Sequence, residues 1–246
     1  DHTRPVPSHI ITPILLEEIL AGNPDANVTI LVATGSHRAS TQEELRAKYG
    51  DEIVDNVDIH IHDSLKDEMI DLGLLPSGGK LMVNKIAVDA DLLLSEGFIE
   101  PHFFAGFSGG RKSVLPGIVG YRTVLENHCA DFIASPYARA GVLENNPLHK
   151  DMLYAAKAAN LAFIMNVAID ADKRIIRAFA GHFEDAHLQG CDFVRTLAGV
   201  KKAEADIVIT TNGGYPLDQN IYQAVKGMTS AESTAKEGGV IIMVAE

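Results

Sequence analysis

The sequence predicts an α/β protein with a largely parallel sheet flanked by helices, followed by the start of a second, smaller α/β domain. Two observations support this fold class. Short runs of β-branched and aliphatic residues alternate along the chain with longer segments of helical periodicity, which favours parallel strands covered by helices. A polar link at residues 201–204 follows a predicted helix and precedes a predicted strand, which places a domain boundary near residues 200–205.

The chain begins with a predicted helix and a predicted strand. Apolar residues recur near helical spacing over residues 5–21, and Ser8 is a candidate cap for this helix. The β-branched run at residues 28–33 predicts a buried strand. The segment TGSH (34–37) follows as a turn at the C-terminal end of that strand, where parallel sheets place their ligands.

The next two elements have different signatures. Thr41 and Glu44 stand three residues apart, as a capping box requires, and predict a helix that continues to about Tyr49. Apolar and polar residues alternate over residues 57–62, which predicts a half-exposed strand. The remaining predictions are strand at 80–88 and 92–95, a Gly-rich loop at 104–117, helix at 118–130 and 148–159, strand at 162–169, helix at 183–198, strand at 207–211, helix at 218–228 and strand at 240–245.

Composition excludes several classes of function. The formal net charge is −12, and an acidic surface repels phosphate backbones, so we expect no nucleic-acid partner. No apolar run approaches the length of a membrane-spanning helix, so we expect no membrane association. The two cysteines do not make a disulfide framework, and we therefore expect a reducing, cytoplasmic location.

The segment EGFIEPHFFAGFSGGRK (96–112) combines a histidine, four glycines, a serine and two adjacent cations. Glycines let a backbone approach a ligand closely, and Arg111 and Lys112 add a positive field for phosphate or carboxylate. The spacing is not that of a Walker A loop. A glycine-rich turn with solvated cations is the alternative interpretation.

Four further segments contain candidate catalytic or binding residues. His37 lies on the turn after a buried strand, where it could transfer protons. Arg4 precedes a helix and could bind a carboxylate, although a charged tail would look the same. His128 ends a predicted helix, where a histidine is usually structural. Tyr222 and Lys226 are one helical turn apart, a spacing that an ordinary amphipathic surface also has.

His60 and His62 share one face of the predicted strand at residues 57–62, at a spacing that could bind a metal. No third ligand with matching spacing is evident. We therefore interpret both as half-exposed strand histidines and keep metal binding as the lesser alternative.

Taken together, five segments resemble the characteristic blocks of the nickel-pincer lactate racemase family, and the long central block is the most specific. The resemblance extends over nearly the whole chain, but a leading strand and most of a smaller second domain of the family are missing. The segments are DHTRP (1–5), TGSHR (34–38), EGFIEPHFFAGFSGGRKSVLPGI (96–118), ENH (126–128) and YQAVK (222–226).

The resemblance implies a cofactor, a pyridinium mononucleotide whose two sulfur-bearing arms and one carbon hold nickel. By motif position, Lys112 is joined covalently to this nucleotide, His128 completes the nickel coordination, and Asp1 lies beside the cofactor. Soft sulfur donors with an imidazole suit nickel. From the backbone-donor argument above, we add a predicted phosphate contact from Ser108, Gly109, Gly110 and Arg111.

The resemblance also implies a reaction, the racemisation of a small anionic 2-hydroxy acid, with lactate as the expected substrate and the cofactor-synthesis enzymes as partners. His37 and His102 would be paired general bases, since an unperturbed imidazole gives or takes a proton near neutrality. Removing hydrogen from C2 as a proton would create a costly dianion, whereas hydride transfer avoids it. The predicted substrate contacts are Arg4, Tyr222, Gln223 and Lys226.

Two other functions are compatible with these residues. The same catalytic set could act on a larger 2-hydroxy acid, such as malate, hydroxyglutarate or a sugar acid. A non-catalytic protein that binds an anionic nucleotide through the Gly-rich loop is the third hypothesis.

The chain begins without methionine and ends on an apolar run, so we expect a fragment of a longer polypeptide. Residues 1–202 are then the N-terminal catalytic α/β domain without its first strands, and residues 203–246 begin a truncated second α/β domain.

Overall fold

A computed structural model describes residues 3–214, 218 and 221–245, and of Tyr222 only the backbone. The chain divides into two compact units, Asp1–Val194 and Arg195–Glu246. The predicted domain boundary, after residue 202, lies eight residues beyond this division of the chain and stays a prediction. No helix among the described residues is long and apolar enough to cross a membrane.

The first unit opens with a parallel strand pair covered by helices. Strands β1 and β2 pair with Thr29 opposite Asp58, and a small core of Val32, Leu45 and Tyr49 lies beneath them. The capping box at Thr41 is present as predicted. The elements are α1 (Ser8–Gly22), β1 (Thr29–Val32), α2 (Gln42–Tyr49), α3 (Asp51–Asn56) and β2 (Asp58–Ile61).

An antiparallel hairpin follows, made of β3 (Met69–Leu74) and β4 (Lys80–Asn84). The strand predicted at residues 80–88 is wrong beyond Asn84, because the chain turns there into a short helix, α4 (Lys85–Val88). The Asn84 side chain accepts a hydrogen bond of 2.9 Å from the Ile86 N–H and so caps this helix.

The centre of the unit is a three-stranded sheet in the order β5, β8, β9. Strand β5 runs parallel to β8, and β9 returns antiparallel through a tight turn. The elements are β5 (Leu93–Phe98), β6 (Pro101–His102), β7 (Gly106–Phe107), a 3-10 helix (Gly110–Ser113), α5 (Tyr121–Asn127), α6 (Ala130–Ile133), α7 (Pro147–Ala158), β8 (Leu161–Ile169), β9 (Ile175–His182) and α8 (Asp185–Ala198), whose last residues belong to the second unit.

The second unit contains a strand, a crossover helix and a strand that pairs parallel to the first. These are β10 (Ala205–Thr210), α9 (Ile221–Glu232) and β11 (Ala235–Met243). The helix provides the crossover that parallel pairing requires.

The α/β class is confirmed, but the single, largely parallel sheet is not observed. Among the described residues, the strands form five small sheets, and only β1–β2, β5–β8 and β10–β11 are parallel pairs. The hairpins β3–β4 and β8–β9 are antiparallel because a few residues join their strands, too few for a crossover.

Candidate functional site

Three side chains of the predicted site meet around one aromatic ring. The imidazole of His102 packs edge-on against Phe104 with ring centroids 4.6 Å apart, and His128 packs against it at 5.2 Å. The Lys112 Nζ lies 5.8 Å from the centroid of the same ring. Phe104 itself is only 6% exposed. The structure therefore brings His102, Lys112 and His128 to one place, and sequence reasoning gave Phe104 no role.

Two glycines let the loop between His102 and Lys112 pack against the sheet. Gly109 has φ +75° and ψ −175°, a region that only glycine readily adopts. A Cβ at Gly109 would lie 2.5 Å from Asn166 Oδ1. The Gly110 N–H donates to this same oxygen at 2.7 Å. Asn166 is completely buried on β8, so it anchors the loop to the sheet.

The Arg111 guanidinium points into the protein. It is 1% exposed and donates to the carbonyls of Phe107 (2.9 Å) and Ala105 (2.8 Å). It also contacts His149 Nδ1 and His187 Nε2, each at 3.0 Å. Arg111 therefore holds its own loop in a folded-back conformation, and its contact with a cofactor phosphate stays a prediction.

The other groups of the predicted phosphate contact also have partners inside the protein. The Ser108 hydroxyl donates to the Phe98 carbonyl at 2.9 Å and accepts from the Glu100 N–H at 2.9 Å. The Gly110 N–H is engaged by Asn166, as described above. These bonds give the segment 108–111 a structural role in shaping the loop before Lys112.

His128 has the environment of a metal ligand. It follows the last residue of α5, and its N–H donates to the Val124 carbonyl at 2.8 Å. Its Nδ1 atom is buried and has no hydrogen-bond partner among the described residues. Burial lowers the pKa of His128 to about 3, and the charge of Lys112 acts in the same direction. The imidazole is therefore neutral at pH 7, as metal coordination requires.

No group of three or more His, Cys, Asp and Glu side chains in the described part of the chain could hold a metal ion.

His37 lies on the turn after β1, and this turn is bound to the segment that follows Lys112. The Gly35 N–H donates to the Gly117 carbonyl at 2.9 Å, and Gly35 has φ +60°. The Thr3 hydroxyl lies 3.4 Å from His37 Nδ1. Two parts of the predicted site, the turn of His37 and the loop of Lys112, thus belong to one connected structure.

The prediction that His62 is half-exposed is wrong. His62 lies just beyond β2 and is 2% exposed. Its Nε2 is 3.0 Å from the Val119 carbonyl, and its Nδ1 is 2.9 Å from Asn84 Nδ2. Burial lowers the pKa of His62. The neighbouring His60 contacts a carboxylate, with its Nε2 atom 2.9 Å from Asp67 Oδ2. Both histidines therefore have structural partners.

The remaining predicted residues lie in three places. Arg4 is on the turn before α1, where its carbonyl accepts a hydrogen bond of 3.1 Å from Lys48 Nζ. Asp1 and the side chain of Tyr222 are outside the described residues. In the second unit, Lys226 Nζ donates to Gln223 Oε1 at 2.5 Å.

Comparison with known proteins gives consistent matches. Residues 1–141 match a family model described as the lactate racemase N-terminal domain, and residues 200–246 match the lactate racemase C-terminal domain. The chain is 64% identical to proteins named lactate racemase from Thermoanaerobacterium thermosaccharolyticum and Lactiplantibacillus plantarum. Both alignments cover 100% of this chain and 58% of the relative, so the chain spans little more than half of their length.

Solved structures agree with these matches. The lactate racemase apoprotein of T. thermosaccharolyticum superposes with a TM-score of 0.96 at 63% identity, over 98% of this chain and 58% of that one. A Thermotoga maritima protein from a structural genomics project superposes with a TM-score of 0.72 over 86% of this chain and 56% of that one. At 22% identity, this second likeness concerns the fold alone.

Proposed function

The chain belongs to the lactate racemase family, and on that premise we propose that its protein interconverts D- and L-lactate through a lysine-tethered nickel-pincer nucleotide. The observation that supports this most directly is the meeting of His102, Lys112 and His128 around the Phe104 ring. A general base, an amine for covalent attachment and an imidazole for nickel are the groups that this reaction needs in one place.

The residues present fit the cofactor. His128 offers a buried, neutral nitrogen that has no hydrogen-bond partner among the described side chains and main chain. We assign it to nickel and assign the neighbouring Lys112 to the covalent link. When bound, the nickel-pincer nucleotide supplies an electron-poor acceptor for the hydride of lactate. Asp1 remains a predicted neighbour of the cofactor.

The protein's own residues then handle the protons and the substrate charge. On the substrate side, His37 or His102 would take the hydroxyl proton of one enantiomer. The second histidine would return a proton to the oxygen of the planar 2-oxo acid as the opposite enantiomer forms. Arg4 is assigned to the substrate carboxylate, and Tyr222, Gln223 and Lys226 remain predicted substrate contacts.

The test is a racemisation assay on the complete polypeptide, produced together with the cofactor-synthesis enzymes. We expect either enantiomer of lactate to approach a racemic mixture. A panel of larger 2-hydroxy acids, including malate and hydroxyglutarate, is assayed in parallel. If a larger acid is racemised and lactate is not, the proposed substrate is contradicted. Absence of racemisation from a cofactor-loaded protein on every acid would contradict the proposed function.

A further inference from the structure

The turn that carries Arg4 is held from two sides. On one side, the Lys48 ammonium donates to the Arg4 carbonyl at 3.1 Å and lies 3.5 Å from the Val6 carbonyl. On the other side, the Glu96 carboxylate accepts hydrogen bonds from Ser8 and Thr12 of α1. The residues before α1 are thus attached to α2 through Lys48, and the start of α1 is attached to β5 through Glu96.

Glu96 receives two hydroxyl groups from the same face of α1. Ser8 donates to Oε1, and Thr12 donates to Oε2 at 3.0 Å. Ser8 is completely buried and Thr12 is 7% exposed, so little water competes for the carboxylate. Glu96 lies on β5, and His102 lies on the next strand, β6, so the carboxylate ties the start of α1 to the strand that precedes His102.

The surroundings of Lys48 lower its pKa overall, and the Glu96 carboxylate offsets part of that effect. Burial lowers the pKa of Lys48, the Glu96 carboxylate raises it, and the Arg4 guanidinium lowers it. Two cations close together repel, and a nearby carboxylate offsets that repulsion. The Lys48 ammonium therefore has an acceptor in the turn and a balancing charge in Glu96.

We propose that Lys48 is a positioning residue for Arg4: its ammonium donates to the Arg4 carbonyl, fixes the turn and thereby sets the direction of the Arg4 guanidinium. This inference rests on the proposed function, in which Arg4 binds the substrate carboxylate. An arginine binds a carboxylate through two parallel hydrogen bonds, and a turn that moves weakens both. Loss of the Lys48 contact should therefore weaken substrate binding and leave the rate of the chemical step unchanged.

The test is the Lys48→Met substitution in the complete, cofactor-loaded polypeptide. Methionine keeps most of the side-chain length and removes the donor and the charge. We expect KM for lactate to rise about tenfold and kcat to stay within about twofold, since a loss of ground-state binding acts in this way. Lys48→Arg keeps a cationic donor and is expected to restore KM to within about threefold. Lys66→Met, at a side chain that is 83% exposed, is the matched control and is expected to change neither constant.

A double-mutant cycle separates positioning from general structural support. If Lys48 acts through Arg4, Lys48→Met has little further effect on KM in an Arg4→Ala background. Equal effects in both backgrounds would overturn the proposal, and so would a fall in kcat at unchanged KM.

Hydrogen exchange of the apoprotein gives a readout that does not depend on activity. Lys48→Met is expected to speed amide exchange at Arg4, Val6 and Ser8, the non-proline residues of 4–8, about tenfold and to leave residues 58–61 unchanged. Unchanged exchange at residues 4–8 would contradict the positioning role of Lys48, whether or not the unsubstituted protein racemises lactate. Inactivity of the unsubstituted protein on lactate would contradict only the proposed function. If Lys48→Met fails to fold, the same measurements are made on Lys48→Gln.

Discussion

The Phe104 ring meets the His128 imidazole edge to face, with centroids 5.2 Å apart and planes at 89°. Because the same ring also contacts His102, one buried aromatic side chain sets the spacing between a proposed base and a proposed nickel ligand. Aromatic contacts of this kind fix orientation as well as distance.

Phe104→Leu is expected to loosen both imidazoles. Leucine fills most of the volume but makes no aromatic contact, so we expect the free energy of unfolding to fall by about 1–3 kcal/mol. The yield of covalent adduct on Lys112 should also fall, because the loosened site holds the cofactor less well. Denaturant unfolding and intact mass measure the two effects, and Tyr137→Leu at an exposed position is the control. Equal stability of the two variants would show that the Phe104 contacts contribute little.

His128→Ala is expected to remove nickel before it removes the fold. The alanine variant lacks the only imidazole that we assign to the metal, while its backbone bond to Val124 remains. Metal analysis of cofactor-loaded protein should give a nickel content near that of protein without cofactor, with an unchanged far-ultraviolet circular dichroism spectrum. His182→Ala, at an exposed histidine, should keep its nickel. Full nickel content in His128→Ala would mean that another residue is the ligand.

Gly109→Ala tests whether the loop before Lys112 depends on its backbone conformation. At φ +75° and ψ −175°, with Asn166 Oδ1 2.5 Å from the added Cβ, we expect a loss of about 3 kcal/mol in unfolding free energy. Gly78 also has positive φ, at +93°, but open space around it, so Gly78→Ala should cost only about 1 kcal/mol. Similar losses for the two variants in chemical denaturation would argue against tight packing at Gly109.

Acid sensitivity is expected from the buried histidines. Burial and then the charge of Arg111 lower the pKa of His149 to about 3, and burial lowers that of His62. The unfolded state binds these protons from about pH 6.5 downwards and the folded state does not, so stability falls as pH falls from about 6.5 towards 3.

The contribution of one histidine can be isolated. His149→Gln keeps an acceptor for Arg111 and removes the titration, so the slope of unfolding free energy against pH should decrease by up to about 1.4 kcal/mol per pH unit between pH 6 and 4. Identical slopes for wild type and His149→Gln would contradict the assignment.

Sequence reasoning succeeded where the signal is local. The capping box of α2 depends on Thr41 and Glu44 alone, and both side chains make the predicted bonds. The strand β8 is an apolar run, interrupted by Asn166 alone, that can be recognised without knowing its partner strand. By contrast, β3 and β9 were missed, because half-exposed hairpin strands carry weak periodicity.

The environments of His62 and Arg111 could not be predicted, since they depend on residues distant in sequence. Alternation predicted an exposed face for His62, but Asn84 and Val119 enclose its ring. A cation in a glycine-rich loop normally faces solvent or an anion. Arg111 points inward because carbonyls of its own loop and two distant imidazoles receive it. No pattern within residues 96–118 carries that information.

The most direct test of the account is peptide mapping and intact-mass analysis of the complete polypeptide after production with the cofactor-synthesis enzymes. We predict a covalent adduct on the peptide that contains Lys112, accompanied by nickel. The adduct should be absent from Lys112→Ala and present in Lys150→Ala, an exposed control. An adduct that persists in Lys112→Ala, or that maps to another residue, would contradict the assignment of Lys112 and the site built around it.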